Sequence, residues 1–309
     1  MAMEGLTLVE SRLALINIYG LALGLLGQWA WLRAGRSGCC DRWRWVAGIA
    51  LGAAINVKWN WAGLWLGLVL WDVLTRIQNH KSQIQNSSLL VYLGMLPLLT
   101  YSLLWLPHLA LTGESLVGVH RQLWSTHQSI GENASHAYCS PWHNWPLMVR
   151  PVAYYFERAG QGLETTATTL HGMGNPVLWW LSTAAMLALS LGWLGRQVSG
   201  ENHVVNRQTR RQTRAVVPFI LINYLVNWLP WALVSRCTFL YHAMGTAAFS
   251  ALGLAWLMAR WWENPRDRPL ALVLLGAIAL SFFFWLPLYL GIPLSLESLH
   301  RRWLLPGWI

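Results

Sequence analysis

The sequence predicts an all-α, polytopic transmembrane protein with short basic loops and one long extracytoplasmic loop. Three observations carry this. Of 309 residues, 55% are hydrophobic and only 11% charged, where a soluble domain carries roughly 25% charged. Several near-continuous apolar runs approach or reach the ~20 residues that cross ~30 Å of hydrocarbon. Most basic residues sit in short loops between those runs, where they set topology. The net charge of +10 therefore points to a lipid bilayer and not to nucleic acid as the partner.

Taken in order, Leu13 to Leu32 is the first spanning candidate, long and without a small-residue cleavage site, so it is not read as a signal peptide. Trp45 to Val57 is apolar but too short to span alone, and Lys58-Trp59-Asn60 breaks it before Trp61 to Leu74 resumes. Two helices meeting near Lys58 are expected. Leu89 to Leu106 spans next, with Pro97 as a tolerated kink. The segment Pro107 to Gly174 is too polar to cross; within it, Ser115 to Ile130 places Leu116, Val119 and Leu123 on one helical side, as a surface helix would. Val177 to Leu194, Val216 to Val234, Thr238 to Ala259 and Leu270 to Leu290 complete about seven or eight membrane segments. The organisation is 1–106 as N-terminal membrane helices, 107–174 as an extracytoplasmic loop with an interfacial helix, and 175–309 as a C-terminal four-span region.

Charge distribution sets the orientation. The loops 33–44, 75–88, 195–214 and 260–269 hold 14 of the 22 Lys and Arg residues and fall on one face, the cytoplasmic one. The opposite face receives Arg12, Lys58, Arg121, Arg150, Arg158, Arg236, Arg301 and Arg302. The chain thus reads as an integral, multi-pass protein with the long loop outside.

That loop contains the most chemically varied stretch, NASHAYCSPWHNWPLMVRPVAYYFER, from Asn133 to Arg158. Prolines 141, 146 and 151 exclude one continuous helix and hold the backbone extended or turned. Its imidazoles (His136, His143), phenols (Tyr138, Tyr154, Tyr155), indoles (Trp142, Trp145) and guanidinium (Arg150) suit a sugar or a phosphate. His136, Cys139 and His143 have a spacing that ligands could use, but Pro141 interrupts it and no fourth ligand is near, so no metal is expected. The cysteines at 39, 40, 139 and 237 show no CxxC pairing, and no disulfide frame is expected. Asn86 and Asn133 match the N-glycosylation pattern.

Elsewhere, Lys58 at a helix break is costly unless paired or functional, which makes it and its neighbour Asn60 site candidates. Arg12 at the outer end of the first span is either an interfacial anchor or a cation for a lipid-linked phosphate, which guanidinium binds bidentately. Arg236 and His242 flank the turn between two spans, as caps and anchors or as site residues. The arginines at 207, 210, 211 and 214 read as topology determinants or a headgroup contact. A proton acceptor is conspicuously hard to find: the outer face offers scattered glutamates and no adjacent acidic pair.

Three blocks of sequence resemble the protein O-mannosyltransferases, which use polyprenyl- or dolichyl-phosphate mannose. They are LTLVESRLALINIY (Leu6 to Tyr19) with GIALGAAINVKWN (Gly48 to Asn60); HAYCSPWHNWPLMVRPVAYYFE (His136 to Glu157) with GNPVLWW (Gly174 to Trp180); and YLVNWLPWALVSRCTFLYHAM (Tyr224 to Met244) with FFFWLPLYLGIPLS (Phe282 to Ser295). The absence of a large β-rich insertion between Leu106 and Asn175 is similar to the bacterial members. The resemblance implies a type C glycosyltransferase of the bacterial plasma membrane with its active face outside, moving mannose to Ser or Thr hydroxyls of proteins with inversion and no cofactor. It implies Arg12 and His136 as catalytic contacts, and Lys58, Asn60, Tyr138, Trp142, Trp145, Arg150, Arg236 and His242 as donor or acceptor contacts.

The chain departs from the family in starting just before the LVESR block, where members have further spans and an outer Asp-Glu loop supplying the base. On that ground the chain alone is expected to be inactive, as a fragment of a longer gene product or a degenerate paralogue. YHAMGTAAF also lacks the proline expected after YH. Rival readings are a non-catalytic membrane subunit, a type C transferase for another lipid-linked sugar, and a transporter; for the last, Lys58 at a helix break suits, but no internal repeat is visible.

Overall fold

In the computed structural model the described residues are 2–37, 41–78, 86–129, 136–160, 165–199 and 207–308. Cys39, Cys40 and Asn133 lie outside them, as do the side chains of Asn86 and of the arginines at 207–214. Helices account for most of what is described, and they fall into two compact units. One comprises residues 1–15, 136–224 and 238–309; the other comprises 16–135 and 225–237. The two are interleaved in sequence.

The 16–135 unit holds α2 (Ile16–Ser37), α3 (Asp41–Val57) and α4 (Ala62–Gln78). A short α5 (Asn86–Leu89) continues through a π-helical stretch, Leu90–Met95, into α6 (Leu96–Thr112), and α7 (Leu116–Ser129) follows. Small residues let these helices approach closely, since apolar solvent supplies no hydrophobic drive for their association. A Cβ on Gly20 would fall 2.0 Å from Trp61 Nε1, and one on Gly24 would fall 2.2 Å from Leu64 Cδ1. Polar groups are paired internally: Gln28 Nε2 donates to the Leu64 carbonyl at 2.7 Å, and Trp31 Nε1 donates to Asp72 Oδ1 at 2.9 Å. Between α3 and α4 the chain breaks where the sequence placed the break, with Lys58 extended (φ −165°, ψ 133°) before a 3-10 turn at Trp59–Trp61.

The other unit begins with α1 (Gly5–Arg12), whose N-cap Glu4 accepts from the Leu6 and Thr7 amides. It continues with α8 (Pro176–Ser199), most of α9 (Arg207–Trp228), α10 (Met244–Glu263), α11 (Arg268–Leu290) and α12 (Leu296–His300). Ahead of α8 lies the proline-rich stretch. It forms a 3-10 turn at Trp142–Leu147, then β1 (Val152–Ala159), antiparallel to β2 (Thr166–Gly172) with a bulge between Ala153 and Tyr155. A two-residue β3 (Leu294–Ser295) adds to β2, giving the order β1-β2-β3. This small sheet was not expected from the sequence; the surface helix α7 was.

Five helical stretches are long and apolar enough to cross a membrane: Leu90–Thr112, Pro176–Gly195, Ala215–Leu233, Leu240–Glu263 and Arg268–Leu290. Counting α1 and α2 together as one broken span makes six. The protein is a multi-pass helical membrane protein. The expected seven or eight segments counted the 45–74 pair as two; at 17 residues each, α3 and α4 fall outside that set.

One buried amide ties the 1–15 segment to α8 and α11. Asn175 Nδ2 donates to the carbonyls of Met3 (3.0 Å) and Ile278 (2.9 Å), and its Oδ1 accepts from Ser281 Oγ at 2.7 Å. Its exposure is 0%. Asn175→Ala leaves two carbonyls and a hydroxyl without partners, so a loss of about 2–4 kcal/mol is expected. Thermal unfolding in detergent would read it as a clearly lowered midpoint; an unchanged midpoint would contradict this role.

Candidate functional site

The break at Lys58 opens onto a cavity of about 610 Å³ that lies wholly within the 16–135/225–237 unit. Its size is within the ~300–1,000 Å³ range of small-molecule sites. Lys58 and Asn60 line it from the break, Trp65 from α4, Trp105 from α6, His127 from α7, and Trp231 and Arg236 from the segment after α9. Three of the residues singled out in the sequence, Lys58, Asn60 and Arg236, thus meet at one cavity although Arg236 is far along the chain. Lys58 Nζ donates to Asn17 Oδ1 at 3.1 Å. Arg236 has no hydrogen-bond or ion-pair partner among the described residues. Two buried polar atoms of the lining also lack partners, Asn60 Oδ1 and Trp105 Nε1. No carboxylate stands among the described lining residues.

The α7 side of the cavity is an aromatic stack. Trp59 lies between His120 (5.8 Å, 22°) and His127 (5.6 Å, 24°). Its Nε1 donates to Tyr101 Oη at 2.9 Å, the Tyr101 hydroxyl shares a hydrogen bond with His120 Nε2, and His120 Nδ1 donates to the Leu116 carbonyl at 2.7 Å. A carbonyl can only accept, so His120 Nδ1 carries the proton of that bond. His127 Nδ1 likewise donates to the Leu123 carbonyl at 2.8 Å. Sequence reasoning missed this wall. Its signal was the seven-residue spacing of the two histidines, which puts both on one face of α7.

The remaining site candidates belong to the other unit. Trp145 is fully buried; its Nε1 donates to the Ser140 carbonyl at 2.9 Å, and its ring stacks on the buried His242 at 6.3 Å and 16°. His242 Nδ1 accepts from the Phe239 amide at 3.1 Å, capping its own turn. Ser140 N–H donates to the Thr238 carbonyl and Thr238 Oγ1 donates to the Ser140 carbonyl, each at 2.7 Å. These bonds join the His136–Glu157 stretch to the Tyr224–Met244 stretch. Arg150 donates from Nε and Nη2 to the Ala137 carbonyl and from Nη1 to the Gly307 carbonyl, with its plane over Tyr138 at 5.2 Å. Trp145 and His242 are thus buried, and Arg150 spends three guanidinium donors on two carbonyls. His136 is exposed, edge-on to Phe239 at 5.3 Å, and Trp142 packs edge-on to His143. Arg12 is exposed and donates from Nη1 to the Tyr289 carbonyl at 2.8 Å. Beside it, the fully buried Glu10 accepts from the Tyr154 hydroxyl at 2.5 Å; burial, and then the Glu10 carboxylate, push the Tyr154 hydroxyl well above its ordinary range.

Cys139 and Cys237 are each disulfide-bonded, where no disulfide frame was expected. Cys139 is thereby withdrawn as a metal ligand, and no group of three or more His, Cys, Asp or Glu suited to a metal occurs among the described residues.

A family model described as the C-terminal four TMM region of protein-O-mannosyltransferase matches residues 112–308, and one described as dolichyl-phosphate-mannose-protein mannosyltransferase matches residues 1–112. The chain belongs to the protein O-mannosyltransferase family. Among curated relatives, the polyprenol-phosphate-mannose–protein mannosyltransferase of Mycobacterium tuberculosis is 26% identical over 86% of this chain and 57% of its own length. The enzyme of that name from Mycolicibacterium smegmatis is 24% identical over 99% of this chain and 70% of its own length. The chain thus spans a little over half the length of the first of these relatives. The solved Saccharomyces cerevisiae protein O-mannosyltransferase Pmt1-Pmt2 complex, bound to the sugar donor, shares the fold with a TM-score of 0.55 at 20% identity. It matches 63% of this chain and 27% of the solved one.

Two outcomes follow for this mannosyltransferase-family chain. Arg150→Ala strips two carbonyls of a charged donor and should lower stability by about 2–3 kcal/mol while leaving donor-lipid affinity intact; lost affinity at unchanged stability would return Arg150 to the site. Burial lowers the buried His171 of β2 from 6.5 to about 4. The unfolded chain then binds a proton that the folded chain refuses, so stability is complete above pH 6.5 and declines as pH falls towards 4, by about 3 kcal/mol in all. Unfolding midpoints between pH 7 and 4 should flatten in His171→Gln, and an equal slope in that variant would refute the assignment.

Proposed function

We propose that the protein transfers mannose from a polyprenyl-phosphate mannose to Ser or Thr hydroxyls of proteins, at the outer face of a bacterial plasma membrane. The observation that carries this reading is the convergence of Lys58 and Arg236 on a carboxylate-free cavity walled by indoles. Transfer breaks the bond between the mannose C1 and the lipid phosphate oxygen, and forms one from C1 to the acceptor oxygen. Negative charge gathers on the departing phosphate, and preorganised cations stabilise that charge where it develops. A guanidinium with no protein partner is free to do so, and Lys58 adds an ammonium held in place by Asn17. The acceptor proton goes to a base outside the described lining. Arg12 and His136, both exposed, keep their proposed role as contacts in their own unit.

The names of the bacterial relatives support the donor class. The disulfide-bonded state of Cys139 and Cys237 supports an oxidising side for their loops, and the loop charge bias agrees.

The test is mannosyl transfer by the full chain in proteoliposomes, from polyprenyl-phosphate mannose to a Ser/Thr-containing peptide. Arg236→Ala should cost roughly 10²–10³ in rate. Full activity in that variant would remove the cavity from the mechanism, whereas a wild-type chain that binds donor without transferring it would favour a non-catalytic membrane subunit.

A further inference from the structure

The junction of α2 with α3 carries a cluster of side chains that the proposed transfer does not use. Trp29 of α2 and Trp43 of α3 meet edge to face, their ring centres 5.0 Å apart. The Arg33 guanidinium lies 5.4 Å from the Trp29 ring centre and 5.1 Å from that of Trp43. The Arg42 guanidinium lies 5.5 Å from the Trp43 ring, so two cations share one indole. Both arginines are exposed. Loop 33–44 holds four arginines against a single carboxylate, Asp41, and that carboxylate pairs with Arg44 at 3.1 Å. Loop arginines set topology wherever they lie on the cytoplasmic side, and topology alone gives no reason for rings to bracket them. Stacking occupies the face of a guanidinium and uses none of its five N–H donors, which lie in its plane and match phosphate oxygens two at a time. The indoles thus brace the arginines in advance and lower the cost of ordering them on a ligand.

The flanking residues say what kind of phosphate. Leu26, Trp29 and Arg33 follow at i, i+3 and i+7 on α2, and Arg42, Trp45 and Ile49 follow at the same intervals on α3. All six are exposed. Each series orders an aliphatic side chain, an indole and a guanidinium along one helical face. A phospholipid presents its acyl chain, interface and phosphate in that same order. A free phosphate or a nucleic acid has no use for the aliphatic step.

We propose that Arg33 and Arg42, braced on Trp29 and Trp43, bind the headgroup of an anionic phospholipid at the cytoplasmic boundary of the membrane. The guanidiniums take its phosphate, and the exposed aliphatic faces of α2 and α3 take its acyl chains. None of these residues lines the candidate cavity, so the site stands or falls apart from the transfer reading.

The test is binding of phosphatidylglycerol, against phosphatidylcholine, to the full chain in non-ionic detergent, read by native mass spectrometry. The wild type should prefer phosphatidylglycerol. Arg33→Gln combined with Arg42→Gln should weaken it by roughly twenty- to thirtyfold, about fivefold for each cation at a lipid surface, with phosphatidylcholine unaffected. Trp43→Leu, which keeps every charge, should weaken it by roughly fivefold. Arg266→Gln, on the basic loop 260–269, should leave it unchanged. On the wild type, a photoreactive phosphatidylglycerol should label α2 and α3 ahead of the basic segments 195–214 and 260–269, and glycerol 3-phosphate should not displace it. This labelling needs no variant to fold. Full affinity in the double variant or in Trp43→Leu, an equal loss in Arg266→Gln, label spread evenly over the basic segments, or displacement by glycerol 3-phosphate would each overturn the proposal.

Discussion

A polar group set among apolar helices must find its partner inside the chain, because hydrocarbon offers none. Much of this structure follows from that constraint. Asn175 meets it with four hydrogen bonds at one buried amide, and Gln28 meets it with the Leu64 carbonyl. Trp145, Trp179 and Trp308 send their indole N–H groups to the carbonyls of Ser140, Trp145 and Met148 respectively. The prolines at 141, 146 and 151 make those carbonyls available, since a stretch that cannot be a continuous helix leaves its C=O groups open to side chains. The aromatic and cationic wealth of the outer loop is largely consumed in this way.

The same constraint gives meaning to the exceptions. Where the chain breaks between α3 and α4, Lys58 and the 3-10 turn at Trp59–Trp61 interrupt the helical ladder. There the pairing of polar groups is incomplete, and there the cavity lies. Arg150 and His242 have their partners within the chain, whereas Arg236, which lines the cavity, has none among the described residues.

This explains what the sequence could and could not disclose. Apolar runs and loop charges made the membrane architecture legible, and the cost of an ammonium in a helix break exposed Lys58. The partners of Trp145 and Arg150 could not be read from the sequence, because pairing is decided by which distant carbonyl lies within reach. Val152–Ala159 escaped notice as a strand because its partner, Thr166–Gly172, supplies the register and the bulge, neither of which a single run of residues encodes. Asn60 and Arg236 line one cavity where α4 packs closely on the 225–237 segment: a Cβ on Gly63 would fall 2.6 Å from Asn227 Oδ1, a long-range effect that spacing along the chain does not report.

The interleaving of the two units governs how such a protein can be made. A chain delivered to the membrane in order presents residues 16–135 early, but the wall contributed by 225–237 arrives much later. Until then the ammonium of Lys58 and the amide of Asn60 line a half-built chamber, and the 1–15 segment has no α8 or α11 to receive it. Non-local closure of this kind is slow and leaves exposed surface while it waits. The chamber is therefore complete only once residues 225–237 have been made, after all of the 16–135 walls are in place.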